Sequence, residues 1–352
     1  MSSSITERHR IRRGLRIADP PPKLNLRVTD RCDLDCAMCG QAERRRGGGR
    51  SSRSELAADD LDRYLRTRTG SSEGRAYVWG GEPLLHPDLE GLLEVLESRG
   101  FSIVLGTSGS RLTDSFAALS VVDEWIVSID GPRPIHDRIR RCEGLFDRVM
   151  AGVELLRRRT RSTLVANLTI SELNQGHLEE GARALDAAGF HRITLQLPTF
   201  TTAATGALYE AALAGALGPG VAGVHWKHFQ RSYSGIEPDL LSEQVAATFA
   251  LLPGRVQIFP YHPESAEGFG RYFADPQALV SRKRGRCLAL GEEISIEPDG
   301  TIVVCPDFPD ADLGHITEAP WPHPWKTDKM ARLRAAYRSE DFGICARCCR
   351  FF

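Results

Sequence analysis

The 352-residue chain carries 45 Lys and Arg against 46 Asp and Glu, so its formal net charge of −1 excludes a global field drawing it to nucleic acid or an anionic membrane. It has no apolar run of about 18 residues, and Met1 to Arg16 is Ser- and Arg-rich without the apolar core of a secretion signal; the expectation is a soluble, cytoplasmic protein. Nine cysteines in such a chain point to metal or redox chemistry rather than disulfides. Eight lie in two groups near the ends, and Cys142, in an Arg-rich loop, reads as a structural thiol.

Residues 1–22 read as a flexible tail ending in prolines. Leu24 to Val28 is a short apolar strand, followed by Cys32, Cys36 and Cys39 in a loop, and then by Gln41 to Arg53, rich in Arg and Gly and expected to be a mobile lid. Further strands read at Arg75–Trp79, Ser102–Gly106, Trp125–Ile129, Ser162–Thr169, Arg192–Leu197 and Arg255–Phe259. Helices read between them at Ser54–Leu65, Pro87–Arg99, Leu112–Leu119, Leu145–Arg158 and His177–Ala188, and Ala203–Gly223 has room for another. Such alternation implies a parallel sheet with right-handed crossovers, in which ligands bind at the C-terminal strand ends. Near the end, Glu292–Ile296 and Thr301–Cys305 flank Glu297-Pro298-Asp299-Gly300, a hairpin that returns Cys305 toward Cys287. A helical stretch at Thr327–Arg338 leads to Cys345, Cys348 and Cys349.

Three soft thiolates spaced CxxxCxxC on a strand-end loop can converge on one iron–sulfur cube, leaving one iron open to a small chelating ligand. A zinc site needs a fourth ligand, and no His lies nearby. Gly80-Gly81-Glu82-Pro83 follows the second strand, where glycines permit close backbone approach and Glu82 offers an acceptor for an ammonium group. Gly106-Thr107-Ser108-Gly109 ends the third strand; Ser128-Ile129-Asp130-Gly131-Pro132 ends the fourth and runs on to His136-Asp137-Arg138-Ile139-Arg140.

Together these motifs resemble the radical S-adenosylmethionine (SAM) superfamily, in the subfamily with C-terminal SPASM or twitch domains. The resemblance implies a partial (β/α)6 TIM-like barrel at 23–262 and a small hairpin-plus-helix domain at 263–352 holding an auxiliary cluster. It implies a 4Fe-4S cluster on Cys32, Cys36 and Cys39 whose open iron holds SAM and cleaves it reductively to a 5′-deoxyadenosyl radical. SAM contacts are then Met38 at the adenine, Gly80, Gly81 and Glu82 at the amino group, Ser108, and Ser128 and Asp130 as hydroxyl and ribose partners. Turn chemistry is the other reading of Asp130. Asn167, on the fifth strand, faces either the lumen or an internal amide partner. Auxiliary 4Fe-4S ligands are Cys287, Cys305, Cys345 and Cys348, with Cys349 an alternative to Cys348 and a zinc ribbon the alternative site.

A fully ligated auxiliary cube implies electron transfer, and so an oxidation. With a strand starting near Leu24 there is no room for a leader-recognition domain, which favours a sugar, aminocyclitol or nucleoside substrate. The alternative is maturation of a ribosomally made peptide or protein by thioether or carbon–carbon crosslinking or epimerisation. A flavodoxin or ferredoxin-type reductant is the implied partner. Base candidates are His225 and His228, and Tyr261 and His262 after the last barrel strand.

Overall fold

A computed structural model describes residues 15–46, 55–68, 74–114, 120–260, 262–274, 287–339 and 342–348. Its centre is one ten-stranded sheet. Seven parallel strands follow one another in chain order: β1 (Lys23–Arg27), β2 (Gly74–Trp79), β3 (Phe101–Thr107), β4 (Glu124–Ser128), β5 (Thr163–Thr169), β6 (Arg192–Gln196) and β7 (Val256–Phe259). The α/β barrel-like architecture expected from the alternation is therefore present, with one strand more than six.

Period-two patterning explains the layering. Leu24, Leu26, Ala76, Val78, Ile103, Leu105, Trp125, Val127, Leu164, Ala166, Ile193 and Leu195 are at most 1% exposed and form the face that the helices cover. Alternate residues, among them Tyr77, Ser128, Asn167 and Thr194, line the lumen. Arg75 and Arg192 both pair with Glu124 near the N-terminal ends of their strands, closing that end of the lumen with charge rather than apolar packing.

The covering helices are α1 (Gly40–Arg46), α2 (Ala58–Leu65), α3 (Leu89–Ser98), α4 (Arg133–Arg140), α5 (Leu145–Arg159), α6 (Leu178–Ala187), α7 (Ala203–Leu217), α8 (Pro238–Leu251) and α9 (Ala266–Ala274). In α3, Asp88 caps the first turn by accepting from Gly91 N at 3.2 Å, and Leu89, Leu92, Leu93 and Leu96 make the buried stripe. Helix α4 is not among the expected helices; it forms over the run that contains His136-Asp137-Arg138-Ile139-Arg140 and buries His136, Ile139 and Arg140. Of Leu112–Leu119, residues 112–114 form turn rather than helix, and the remainder lies outside the described residues.

The C-terminal segment continues the barrel sheet. After a short helix α10 (Leu288–Gly291), β8 (Glu293–Ile296) pairs in parallel with β1, and β9 (Thr301–Val303) and β10 (Asp312–His315) extend the edge antiparallel. The Pro298-Asp299-Gly300 hairpin forms as expected, with Gly300 at φ +83° and Thr301 N donating to Asp299 Oδ1 at 3.1 Å. Helix α11 (Asp328–Ser339) and a 3-10 turn (Gly343–Arg347) complete the segment.

Two mobile segments expected from composition are ordered where described. Residues 15–22 are pinned rather than tail-like: Leu15 is buried, Ala18 N donates to Gly291 O at 2.8 Å, and Trp325 Nε1 donates to Ala18 O at 2.7 Å. Gly40–Arg46 is helix α1, whose arginines find acceptors, Arg45 on Leu34 O at 3.0 Å and Arg44 on Glu297 at 3.5 Å, and the rest of the expected lid lies outside the described residues.

Candidate active site

The cysteine loop lies at the C-terminal end of β1 and is held from four directions. Gly81 N and Glu82 N donate to Thr29 O and Arg31 O at 2.8 and 2.7 Å; Ser110 Oγ donates to Asp33 at 3.0 Å. Ala37 N donates to Ile139 O at 2.9 Å, and Ala37 O accepts from Arg231 at 2.5 Å. The Gly-Gly pair serves this contact: a Cβ on Gly81 would stand 2.1 Å from Arg31 O, and one on Gly80 2.6 Å from Thr29 O. The glycines thus admit the cysteine loop's own backbone, and their other side faces the cavity.

Cys32, Cys36, Met38 and Cys39 line one wall of a cavity of about 760 Å³ that occupies the lumen. Gly80, Gly81, Ser108, Ser128 and Asn167 line it as well, and Asn167 donates to Gln196 Oε1 at 2.8 Å. Among the cavity-lining residues are also Leu288, next to Cys287, and Asp307, two residues past Cys305. The cavity therefore touches the surroundings of both cysteine groups.

Two expected SAM contacts are occupied otherwise. Glu82 is fully buried, and all four acceptor positions of its carboxylate are used: Leu84 N at 3.1 Å and Thr107 Oγ1 at 2.7 Å on one oxygen, Ser108 N at 2.8 Å and Ser108 Oγ on the other. Its role here is to tie the β2 loop to the end of β3, and an ammonium acceptor would have to break that network. Asp130 is likewise fully buried and lies behind the cavity wall, accepting from Arg140 Nε at 2.6 Å and Thr169 N at 3.1 Å.

The described base candidates, His225, His228 and His262, fall outside the cavity. His225 packs its Nδ1 against Asp310 at 2.7 Å and borders a separate small cavity of about 70 Å³ with Arg44 and Glu297. His228 lies beside it, 5.9 Å between ring centroids. His262 is exposed and stacks on Phe249 at 5.1 Å. Tyr261 lies outside the described residues. The cavity carboxylates that sequence reasoning missed are Glu124, Glu293 and Asp307, which the fold brings to the cavity wall.

Cys287 opens α10, Cys305 follows β9, and Cys345 and Cys348 sit on and just after the 3-10 turn. Cys287, Cys305 and Cys348 are close enough that each thiolate's charge acts on another, and Tyr209 feels both Cys305 and Cys345. Cys349 lies outside the described residues. Arg347 wedges the turn in place: it is 1% exposed, donates to Tyr272 O at 2.7 Å and stacks 3.8 Å from the Phe200 ring centroid.

None of the described cysteines is in a disulfide. Burial pushes the Cys32 and Cys287 thiols up to about 12, and raises Cys36 and Cys305 as well. Thiols so placed need a nearby multivalent cation to ionise, which is what an iron–sulfur group supplies. Among the described residues no three His, Cys, Asp or Glu side chains close on a single ion.

The sequence profile of the radical SAM superfamily matches residues 26–185, and that of the SPASM iron–sulfur cluster-binding domain matches residues 287–349. The chain is a radical SAM protein with a C-terminal SPASM domain. These domains imply 4Fe-4S clusters and SAM binding.

The chain is 29% identical over 184 residues to an AdoMet-dependent heme synthase of Methanosarcina barkeri, a match covering 50% of this chain and 51% of the relative. It is 33% identical over 137 residues to a probable GTP 3′,8-cyclase of Methanothermobacter thermautotrophicus, covering 38% and 43%. These alignments thus span about half the length of the curated relatives. Similar structures include Streptococcus suis SuiB bound to SAM, with a TM-score of 0.63 at 16% identity over 92% of this chain and 69% of that one. Another is anSMEcpe with bound AdoMet, with a TM-score of 0.61 at 16% identity over 93% and 89%. At that identity the likeness is one of fold. Among the described residues no helix is long and apolar enough to cross a membrane.

Proposed function

We propose that this radical SAM protein modifies a peptide, taking hydrogen from a side chain seated in the lumen and passing an electron onward to a C-terminal cluster. The observation that carries this reading is the single cavity bordered by the cysteine triad on one wall and by Leu288 and Asp307, neighbours of Cys287 and Cys305, on another. Cys32, Cys36 and Cys39 are assigned to the SAM-binding 4Fe-4S cluster, and Cys287, Cys305, Cys345 and Cys348 or Cys349 to the auxiliary one. When bound, the first cluster supplies the electron that cleaves SAM to a hydrogen-abstracting radical.

The chain's own residues do the rest. Met38, Gly80, Gly81, Ser108 and Ser128 line the SAM side of the cavity. Glu82 holds the loops carrying Gly81 and Ser108 in register. Asp307, two residues past Cys305, and Glu293, whose charge acts on Cys287, are the cavity carboxylates beside assigned auxiliary ligands, and Glu124, paired with two arginines, lies at the other end of the lumen. Asp307 and Glu293 are the proposed acceptors for the proton that an oxidised substrate sheds.

A peptide is favoured because SuiB, bound to precursor peptide SuiA, matches 98% of this chain with a TM-score of 0.64, and anSMEcpe with the Kp18Cys peptide matches 90% with a TM-score of 0.60. A small polar molecule is the second reading. It is supported by the amide-lined lumen, where Asn167 meets Gln196 and Gln257 Nε2 donates to Thr194 Oγ1 at 2.9 Å, and by the barrel's likeness to a GTP cyclase. Reconstituted protein with SAM and dithionite, offered the peptide and the small-molecule fractions of host extract, separates them. The peptide reading predicts that the peptide fraction stimulates 5′-deoxyadenosine release and that protease treatment abolishes the effect. Stimulation by the small-molecule fraction alone contradicts it.

A further inference from the structure

The run from Asp130 to Arg140 carries an arginine to the cysteine loop. Arg140 is 8% exposed, lines the cavity, and directs Nη1 to the Cys36 sulfur at 3.8 Å. Its Nε is fixed on Asp130 Oδ2 at 2.6 Å. Asp130 is itself held from every side: Oδ1 accepts from Thr169 N at 3.1 Å, its backbone oxygen accepts from Asn174 Nδ2 at 2.9 Å, and its backbone N donates to His136 Nδ1 at 3.2 Å. Asp130, His136 and Asn174 are all 0% exposed. So many buried contacts on one residue, two to its carboxylate and two to its backbone, fix the guanidinium's position, and the position chosen is against a cysteine sulfur.

We infer that Arg140 is a positioning residue that raises the reduction potential of the cluster on Cys32, Cys36 and Cys39, by donating an N–H···S hydrogen bond and a full positive charge to Cys36, with Asp130 as its anchor. The inference rests on the cluster assignment proposed above. Hydrogen bonds to ligand sulfurs and local net charge are among the levers that set iron–sulfur potentials. An arginine donor favours the reduced cluster because that form carries one more negative charge. Buried at the metal end of the barrel, the interaction is weakly screened and couples Arg140 to Cys36 and Cys39 of the triad.

The test is an anaerobic redox titration of the full, iron-reconstituted chain without SAM, following the electron paramagnetic resonance of each reduced cluster, for wild type, Arg140→Gln, Arg140→Lys and Asp130→Asn. At a fixed potential Arg140→Gln is expected to lower the reduced-to-oxidised ratio of the triad cluster at least tenfold, about 59 mV for one electron. Arg140→Lys recovers part of the shift and Asp130→Asn falls between, while the auxiliary cluster keeps its midpoint. If Arg140→Gln loses iron, the iron-replete Arg140→Lys decides by whether its midpoint drops. An unchanged triad midpoint at full iron content, or equal shifts in both clusters, overturns the inference and leaves the cluster assignment standing. Wild type that binds no iron at the triad overturns the assignment itself.

Discussion

Cys32, Cys36 and Cys39 share one loop at the end of β1, whereas Cys287, Cys305, Cys345 and Cys348 come from a helix start, a strand end and a distant 3-10 turn. The first group needs no long chain closure, but its loop is shaped from outside, by Gly80, Gly81, Glu82, Ser110 and Arg231. The second depends on β8 joining β1 and on Arg347 pinning the last turn under Phe200 and Tyr272. The lesson is that one site fails when a neighbouring loop shifts, and the other when the C-terminal segment undocks.

The largest separation of the two is expected from Gly81→Ala. Its Cβ meets backbone, not a flexible side chain, so the cysteine loop must move. SAM cleavage should fall at least tenfold while the C-terminal iron is retained, read by 5′-deoxyadenosine release and iron per chain. Next is Glu82→Ala, which strands the Thr107 hydroxyl and the Leu84 and Ser108 amides in a buried site. At about 1–3 kcal/mol per orphaned group, denaturant unfolding should show a loss of about 3 kcal/mol or more, with Glu82→Gln less affected.

On the other side, Arg347→Met should weaken the C-terminal site alone. Losing a buried charge-assisted hydrogen bond and its aromatic partner costs about 2 kcal/mol, and the auxiliary iron should be chelated faster than that of the triad. The smallest effect concerns Asp310, which ties the loop after Cys305 to Tyr209, Val224 and His225. Burial works to raise its carboxyl, but the donors, His225 first, outweigh it and hold the group below the usual range. A depressed carboxylate contributes stability that is present above an unfolded value of about 4 and is lost as pH falls through the lower folded value. Asp310→Asn should therefore flatten the acid limb of a stability–pH curve below about pH 4 and leave neutral pH nearly unchanged in slope.

The parts legible in the sequence are those written locally. CxxxCxxC, Gly80-Gly81-Glu82-Pro83, the seven strands and the Pro-Asp-Gly hairpin all depend on residues within a few positions of one another. The partners of Glu82 and Asp130 are not legible in the motifs, because a motif gives residue types but not which neighbour reaches the carboxylate; here Thr107, Ser108 and Arg140 do. His225 and His262 attracted attention as titratable side chains near the last strands, yet Asp310 and Phe249 claim them. Asp307 and Arg140 reach the cavity only through the sheet's closure around it, which no local pattern encodes.

Counting iron and sulfide per chain tests the central claim most directly, in anaerobically reconstituted wild type and in a Cys32→Ala, Cys36→Ala, Cys39→Ala triple variant, alongside dithionite-driven SAM cleavage. The account predicts about eight irons in wild type, about four in the variant, and cleavage in wild type alone. About four irons in wild type with none in the variant, or zinc held by the C-terminal cysteines, would contradict it.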